Sequence, residues 1–396
     1  MATRLIGWAT AEGTARYAAR FAARAAPGHF RGLGGELTVA SVGLGTYLGP
    51  EDGATDVLYQ DAVARALELG LNVLDTAVNY RHQRSERAIR AALAAAVDRG
   101  LVRRDEVVVA TKGGFIAFDG AVPPDPRAWC TRTYLDPGIV GPDDVTAGSH
   151  CMAPRYLLDQ LERSRANLGL ETIDVYYVHN PETQLGEVDR AEFGRRLRAA
   201  FEALEQAAKE GKLRRYGTAT WNGYREDPGA PGYLALEEVV AAARDAGGPD
   251  HRFGVIQLPY NLAMTEAFTR ANQKIDGRLV PLLEAARRLG VYVMASASVY
   301  QGQLTRRLPP LVAELLPGLA TDAQRALQFV RSTPGLGTAL VGMRTLAHVD
   351  ENAAIARVAP APWPQFQRFF AADGRARWAP MAVRGEAVRR PSRAVK

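Results

Sequence analysis

Four side chains that can move or hold a proton stand at the ends of apolar runs: Asp75, Lys112, His179 and, in a short loop, Tyr80. The run Gly70-Leu71-Asn72-Val73-Leu74 stops at Asp75, and Tyr80 follows five residues later. A short apolar run behind a glycine reads as a buried strand. Ser85-Glu86 then opens a helical pattern reaching Leu93, with Ser85 placed to cap it. Lys112 ends the run that starts at Glu106, and His179 ends the run that starts at Ile173. A tyrosine loses its proton near pH 10, so bringing it to neutrality takes about three units, roughly 4 kcal/mol in favour of the phenolate. A lysine ammonium close by in a partly dry site could supply that, with Asp75 holding the lysine charged and oriented. His179 would donate a hydrogen bond to a carbonyl oxygen that gains charge as it is reduced. Singly, each residue has a plainer explanation: a capping acid, a loop tyrosine, a solvated strand end, a structural histidine. The case depends on all four falling at one end of neighbouring strands.

The order of elements predicts that they do. After an N-terminal stretch, residues 30–39 (Phe-Arg-Gly-Leu-Gly-Gly-Glu-Leu-Thr-Val) read as a glycine-turned hairpin. It leads into a strand at 41–47, whose glycines would let a ligand approach the backbone. Helix 55–69 precedes the Asp75 strand, and helix 85–99 precedes the Lys112 strand. Helices 154–168, 190–210, 233–246, 278–289 and 321–331 then alternate with strands 173–179, 215–220, 254–258, 291–296 and 337–341, and a last helix spans about 347–357. Eight strand–helix units with continuous apolar strands argue a parallel sheet closed into a (β/α)8 TIM barrel. The organisation expected is an N-terminal extension (1–34), a barrel (35–359) and a C-terminal basic tail (360–396). Residues 113–153 form an insertion rich in proline and glycine, containing Trp129, Tyr134, His150 and Cys151. Because it follows the third barrel strand, it should lie over the active face as a lid or pocket wall.

Composition narrows the classes. Hydrophobic residues make up 47% and charged residues 23% of 396, ordinary for a globular protein. No apolar run approaches the roughly 18 residues of a membrane span. The net charge of +6 sits at the ends: residues 375–396 hold seven basic groups against Glu386, while the body is near neutral to acidic. That is no continuous phosphate-tracking face, so no nucleic-acid partner is expected. Arg16, Arg20 and Arg24 share one face of an N-terminal helical pattern, read as a helix lying on the barrel rather than a transit peptide. Trp363, Phe366, Phe369, Phe370 and Trp378 give the tail enough aromatics to pack. Two cysteines, Cys130 and Cys151, make no disulfide framework, and a cytoplasmic location is expected. With His150 they have no metal-ligand spacing, so no metal is expected and pocket lining is the better reading.

Taken in order, the motifs resemble those of the aldo-keto reductases. The matching pieces are Gly43-Leu44-Gly45-Thr46, Asp75-Thr76-Ala77-x-x-Tyr80, Ser85-Glu86, Ala110-Thr111-Lys112, Val178-His179-x-Pro181, Gly211-Lys212, Ile256-Gln257-x-x-Tyr260-Asn261, Gln301-Gly302-x-Leu304 and Glu351-Asn352. The resemblance covers about residues 30–357. It implies NADP(H)-dependent reduction of a carbonyl, or oxidation of an alcohol, with Tyr80 as proton donor supported by Asp75, Lys112 and His179. NAD(H) is the alternative cofactor, and the substrate would be a small to medium carbonyl or alcohol. Gln257 would bind the nicotinamide carboxamide, and Gly45 and Thr46 would line the nicotinamide end. Thr220, Ser296, Gln301, Gly302, Leu304, Arg307, Arg344, His348 and Asn352 complete the expected nucleotide site, with Arg344 able to grip a 2′-phosphate.

Two positions depart from the pattern. Ala219-Thr220 stands where Ser-Asn or Ser-Arg usually ends strand five, and Ser296 stands where an aromatic usually stacks on the nicotinamide. These departures motivate a second reading, a cofactor-retaining isomerase, epimerase or eliminating enzyme. A third is a redox-sensing binding protein without catalysis, against which an intact tetrad speaks. Oligomeric state is not readable.

Overall fold

The protein is described by a computed structural model covering residues 4–371; the basic stretch 375–396 and Trp378 lie outside the described residues. In chain order the strands are β1 (Phe30–Leu33), β2 (Leu37–Ala40), β3 (Val42–Gly45), β4 (Val73–Asp75), β5 (Val108–Gly113), β6 (Ile173–His179), β7 (Leu213–Ala219), β8 (Phe253–Pro259), β9 (Ala271–Ile275), β10 (Arg278–Pro281), β11 (Tyr292–Ser296) and β12 (Thr338–Gly342). Eight of them close a parallel barrel in the order β11-β12-β3-β4-β5-β6-β7-β8. This is the (β/α)8 architecture that the strand–helix alternation predicts.

The period of two along each strand decides which side chains enter the barrel. Val73, Val108, Ala110, Val175, Tyr177, Ala219, Val255, Met294 and Leu340 form one apolar cluster together with Leu33, Leu37 and Val39 of the β1–β2 hairpin. That hairpin therefore closes one end of the barrel with apolar side chains. Continuing the alternation by two residues from Val73, Ala110, Tyr177 and Val255 reaches Asp75, Lys112, His179 and Gln257. Each thus lies at the opposite, C-terminal mouth, where barrel enzymes carry their chemistry.

Helices cover the outside. The N-terminal helix Ala11–Ala19 is capped by Thr10, whose side chain accepts from the Gly13 amide. Its arginines fasten it: Arg16 reaches Asp105 at 2.6 Å and Glu106 at 2.9 Å, and Arg20 reaches Glu106 at 2.7 Å. The helix ends before Arg24, so the three arginines do not share one helical face as their spacing suggests. Tyr17 from this helix and Phe366 from the tail join the same core as the outward faces of the strands. Phe366, Phe369 and Phe370 pack around Phe329.

Two local expectations are corrected. Residues 278–281 are not the start of a helix: β10 pairs antiparallel with β9, and the helix runs Leu282–Arg288. The Asp276-Gly277 turn, with positive φ at both residues, makes the hairpin, and Pro281 then suits the entry to a helix better than its interior. Ser85 does not cap its helix. Helix Arg84–Asp98 begins after Gln83, and the Ser85 hydroxyl donates to the Thr46 carbonyl at 2.8 Å, tying that helix to the loop after β3. Within the insertion, Tyr134, Val140 and Cys151 pack with Tyr156 of the following helix in one buried cluster. It carries the short helix Pro126–Cys130.

Candidate active site

At the mouth, Lys112 is fully buried and spends its ammonium on two acceptors, Asp75 Oδ2 at 2.7 Å and the Thr76 carbonyl at 2.8 Å. The other oxygen of Asp75 accepts from Gln257 Nε2 at 2.7 Å. Asp75 therefore bridges β5 and β8, strands that are not neighbours in the barrel. Burial pulls the Lys112 ammonium below its ordinary range, and the adjacent Asp75 opposes that pull.

Tyr80 is partly exposed above this pair, with Lys112 Nζ 4.9 Å from the centre of its ring. Its ring meets that of Tyr47 edge-on at 4.9 Å and that of His179 at 6.0 Å. The four residues gather at one mouth, but they are not all mutually hydrogen bonded: among the described residues the Tyr80 hydroxyl has no partner. The expected lowering of the Tyr80 pKa is also absent. Burial first, and then the charge of Asp75, push the phenol well above 10. His179 is held neutral, well below 6.5, by burial and then by Lys112 and His150. Its Nδ1 is buried without a partner.

The loop carrying Tyr80 is under strain. Arg81, His82 and Gln83 follow it with φ of 48°, 52° and 71°, each a conformation costing about 1–3 kcal/mol that survives only where the surroundings enforce it. Enforcement comes from both sides. Arg81 binds the Pro50 carbonyl and Asp56, both at 2.7 Å, and His82 pairs with Glu51 at 2.9 Å. On the insertion side, Gln83 donates to the Phe118 carbonyl at 2.9 Å, and the Gly120 amide donates to the His82 carbonyl at 2.8 Å. No sequence signal marks these clamps, because charged residues after a loop tyrosine look like solvated surface.

Most residues expected at a nucleotide sit around β3, β11 and β12, which are neighbours in the barrel, while Gln257 lies on β8 and Thr220 follows β7. Gly45 ends β3. The Thr46 hydroxyl is spent internally, on Thr76 Oγ1 at 2.9 Å. Ser296 ends β11, and the loop behind it turns sharply, with positive φ at Ala297, Tyr300, Gln301, Gly302 and Arg307. Gln301, Gly302 and Arg307 are exposed, whereas Leu304 is buried in the core. Arg344 follows β12 close against Gly49 and, among the described residues, has no carboxylate partner. His348 is exposed on the next helix, while Asn352 is buried with its Oδ1 unpartnered. Thr220 is likewise buried with Oγ1 unpartnered, and Gln257 is committed to Asp75 rather than free. Orphaned buried polar atoms are rare in finished structures. The orphaned Asn352 oxygen on the helix after β12, with Arg344 on the loop before that helix, fits a group that accepts and donates hydrogen bonds, as a nucleotide does.

His150 and Cys151 do not line a pocket; both are fully buried. Among the described residues no group of three or more His, Cys, Asp or Glu side chains could hold a metal, and no helix is long and apolar enough to cross a membrane.

Buried neutral histidines make stability depend on pH. Burial lowers His29 and His150 to about 4, and His179 goes the same way. Between the ordinary value near 6.5 and about 4, the unfolded chain therefore binds protons that the folded chain does not. Stability is complete above about 6.5 and is lost as the pH falls, by about 2 kcal/mol each for His29 and His150 at pH 5. Glu86 and Glu182, raised by burial, work in the opposite sense and soften the loss. Denaturant midpoints at about pH 7.5 and pH 5 check this; the lower pH is expected to give the lower midpoint, and equal midpoints would contradict the burial of these rings.

Comparison with known proteins agrees with this geometry. The model of the Aldo/keto reductase family matches residues 41–308. The chain is 27% identical over 186 residues to the uncharacterized oxidoreductase YqkF of Bacillus subtilis, covering 47% of this chain and 46% of that protein. It is 30% identical over 152 residues to D-threo-aldose 1-dehydrogenase of a Pseudomonas species, covering 38% and 40%. The match thus spans less than half the length of these curated relatives. Among solved structures, an aldo/keto reductase from Klebsiella pneumoniae in complex with NADP and acetate superposes with a TM-score of 0.58 at 23% identity, over 86% of this chain and 95% of that one. The holo form of AKR11C1 from Bacillus halodurans gives 0.58 at 20% identity, over 86% and 95%. At such identities these two speak for the fold.

Proposed function

Because the chain belongs to the aldo/keto reductase family, we propose that it is an NADP(H)-dependent oxidoreductase acting between a carbonyl and its alcohol, with Tyr80 as the general acid. The observation that carries this reading is the buried Lys112–Asp75 pair beneath a partly exposed Tyr80, with His179 beside it. Bound nicotinamide supplies the hydride. Gly45, Ser296 and Thr220 would hold its nicotinamide end, Gln301, Gly302 and Arg307 the phosphates, and Arg344, His348 and Asn352 the far ribose. The NADP found in the Klebsiella structure supports this choice of cofactor.

The chain's own residues divide the proton work. A phenol held above its ordinary pKa is fully protonated at pH 7, so Tyr80 has a proton ready for an oxygen that becomes an alkoxide. Neutral His179 adds a hydrogen bond to the same oxygen without competing for the proton. Lys112 supplies a positive charge beneath the phenol as its proton leaves, and Asp75 with Gln257 keeps that ammonium in place. Oxidation needs the phenolate instead, so it is slow at neutrality and accelerates as pH rises. Tyr47, Leu48 and Trp221 are exposed on the loops after β3 and β7, which favours an uncharged substrate with an apolar body.

The test is a carbonyl and alcohol panel, including aromatic aldehydes and charged keto acids, followed by nicotinamide absorbance with NADPH and NADH. No turnover with any carbonyl would sink the reading. Arg344→Ala is expected to raise the KM for NADPH about 10–100-fold, the worth of a charge-assisted hydrogen bond, and that for NADH less than about two-fold. An equal change for both cofactors would remove Arg344 from recognition of the 2′-phosphate.

A further inference from the structure

We propose that His150, in the insertion, is a positioning residue that fixes the backbone of His179 and through it the aim of the His179 ring. The inference builds on the reading of His179 as the carbonyl's hydrogen-bond donor. His150 Nε2 lies 2.7 Å from the His179 carbonyl, and its Nδ1 lies 2.9 Å from Gln184 Nε2.

The direction of these bonds follows from donors that cannot accept. Arg196 Nη1 lies 2.7 Å from Gln184 Oε1, and a guanidinium only donates. The Gln184 oxygen therefore faces Arg196, which turns its amide N–H toward His150 Nδ1. Nδ1 must accept, so the ring proton sits on Nε2 and is donated to the His179 carbonyl. Arg196 is itself held by Glu192 at 2.6 Å. The result is a one-way chain from a helix on the barrel's outside to the last residue of β6.

His179 needs such an anchor. Its own Nδ1 has no partner, so no hydrogen bond at that atom sets its ring. Asn180 immediately after it turns left-handed, with φ of 45°. Phe115 meets the His179 ring edge-on at 5.0 Å and the His150 ring at 5.1 Å, bracing both. The insertion is zipped shut at this point, with the Cys151 amide donating to the Gly114 carbonyl and that of Ile116 to the Ser149 carbonyl, both at 2.7 Å. Gly114 leaves no slack, since a Cβ there would stand 2.8 Å from the His179 carbonyl oxygen and 3.2 Å from His150 Nε2. His150 is fully buried, so it acts through His179 and not on a substrate.

The experiment is a double-mutant cycle with His150→Leu and His179→Asn, reading kcat and nucleotide Kd. His150→Leu is expected to lower kcat about 10–100-fold in the wild-type background with Kd within about two-fold, and to change kcat less than about two-fold when His179 is already Asn. His150→Gln, which keeps a donor and an acceptor, is expected to restore most of kcat. Equal losses in both backgrounds would overturn the proposal by making His150 a general structural residue. Wild-type activity in His179→Asn alone would instead refute the role of His179. If His150→Leu does not fold, Gln184→Leu carries the same cycle: it frees the ring's tautomer and is expected to lower kcat about two- to five-fold, again only where His179 is intact.

Discussion

Tyr80→Phe is expected to lower kcat for carbonyl reduction by about 10²–10⁴, the range over which a positioned general acid contributes, while nucleotide Kd stays within about two-fold. The argument is local. The Tyr80 ring is gripped by Tyr47, His179 and the strained turn 81–83, so losing the hydroxyl removes the proton without moving the ring. Nothing else beside it can replace that proton: Lys112 is buried and bonded to Asp75 and Thr76, and His179 is neutral. Fluorescence titration with NADPH and single-turnover reduction measure the two quantities separately. Activity within about ten-fold of wild type would leave Tyr80 without its assigned role. The same raised phenol predicts an asymmetry in pH. Forming the phenolate at pH 7 costs at least about 4 kcal/mol, so alcohol oxidation should climb with pH while reduction stays nearly flat through neutrality.

Lys112→Met should be the most damaging single change, because it removes the positive charge below the phenol and strands Asp75. Breaking a buried pair from one side costs about 3–5 kcal/mol, and the Thr76 carbonyl also loses its donor. A lowered melting temperature and a kcat loss of about 10²–10³ are expected together, the latter from lost electrostatic support of the departing proton. The second substitution separates them. Asp75→Asn combined with Lys112→Met removes the orphaned charge, so stability should recover by a large part of the loss while kcat does not recover. Recovery of both would show that the pair serves folding alone, and arginine at position 112 is no conservative control, since its fork cannot occupy the point-charge site of an ammonium.

Several features were already legible in residue order. Valine-rich runs such as Val107-Val108-Val109 and Val73-Leu74 alternate with helical stretches such as 190–209, and this repeated eight times closes a barrel. Because a strand's side chains alternate, the same runs put Asp75, Lys112, His179 and Gln257 at one mouth. These are properties of local period and chain order, which sequence carries directly.

What the tertiary structure alone decided is how the charges at that mouth are spent. The Tyr80 phenol is raised first by burial and then by the charge of Asp75, both consequences of packing that brings the loop over the end of β4. Ser85 binds Thr46 in place of its own helix end, and residues 278–281 pair with β9 instead of starting a helix, since both depend on partners elsewhere in the chain. His150 reads from the sequence as pocket lining in a segment rich in glycine and proline, yet it is fully buried against the His179 carbonyl. Spacing reports the chemistry a residue can do; only packing reports which partner has already claimed its protons.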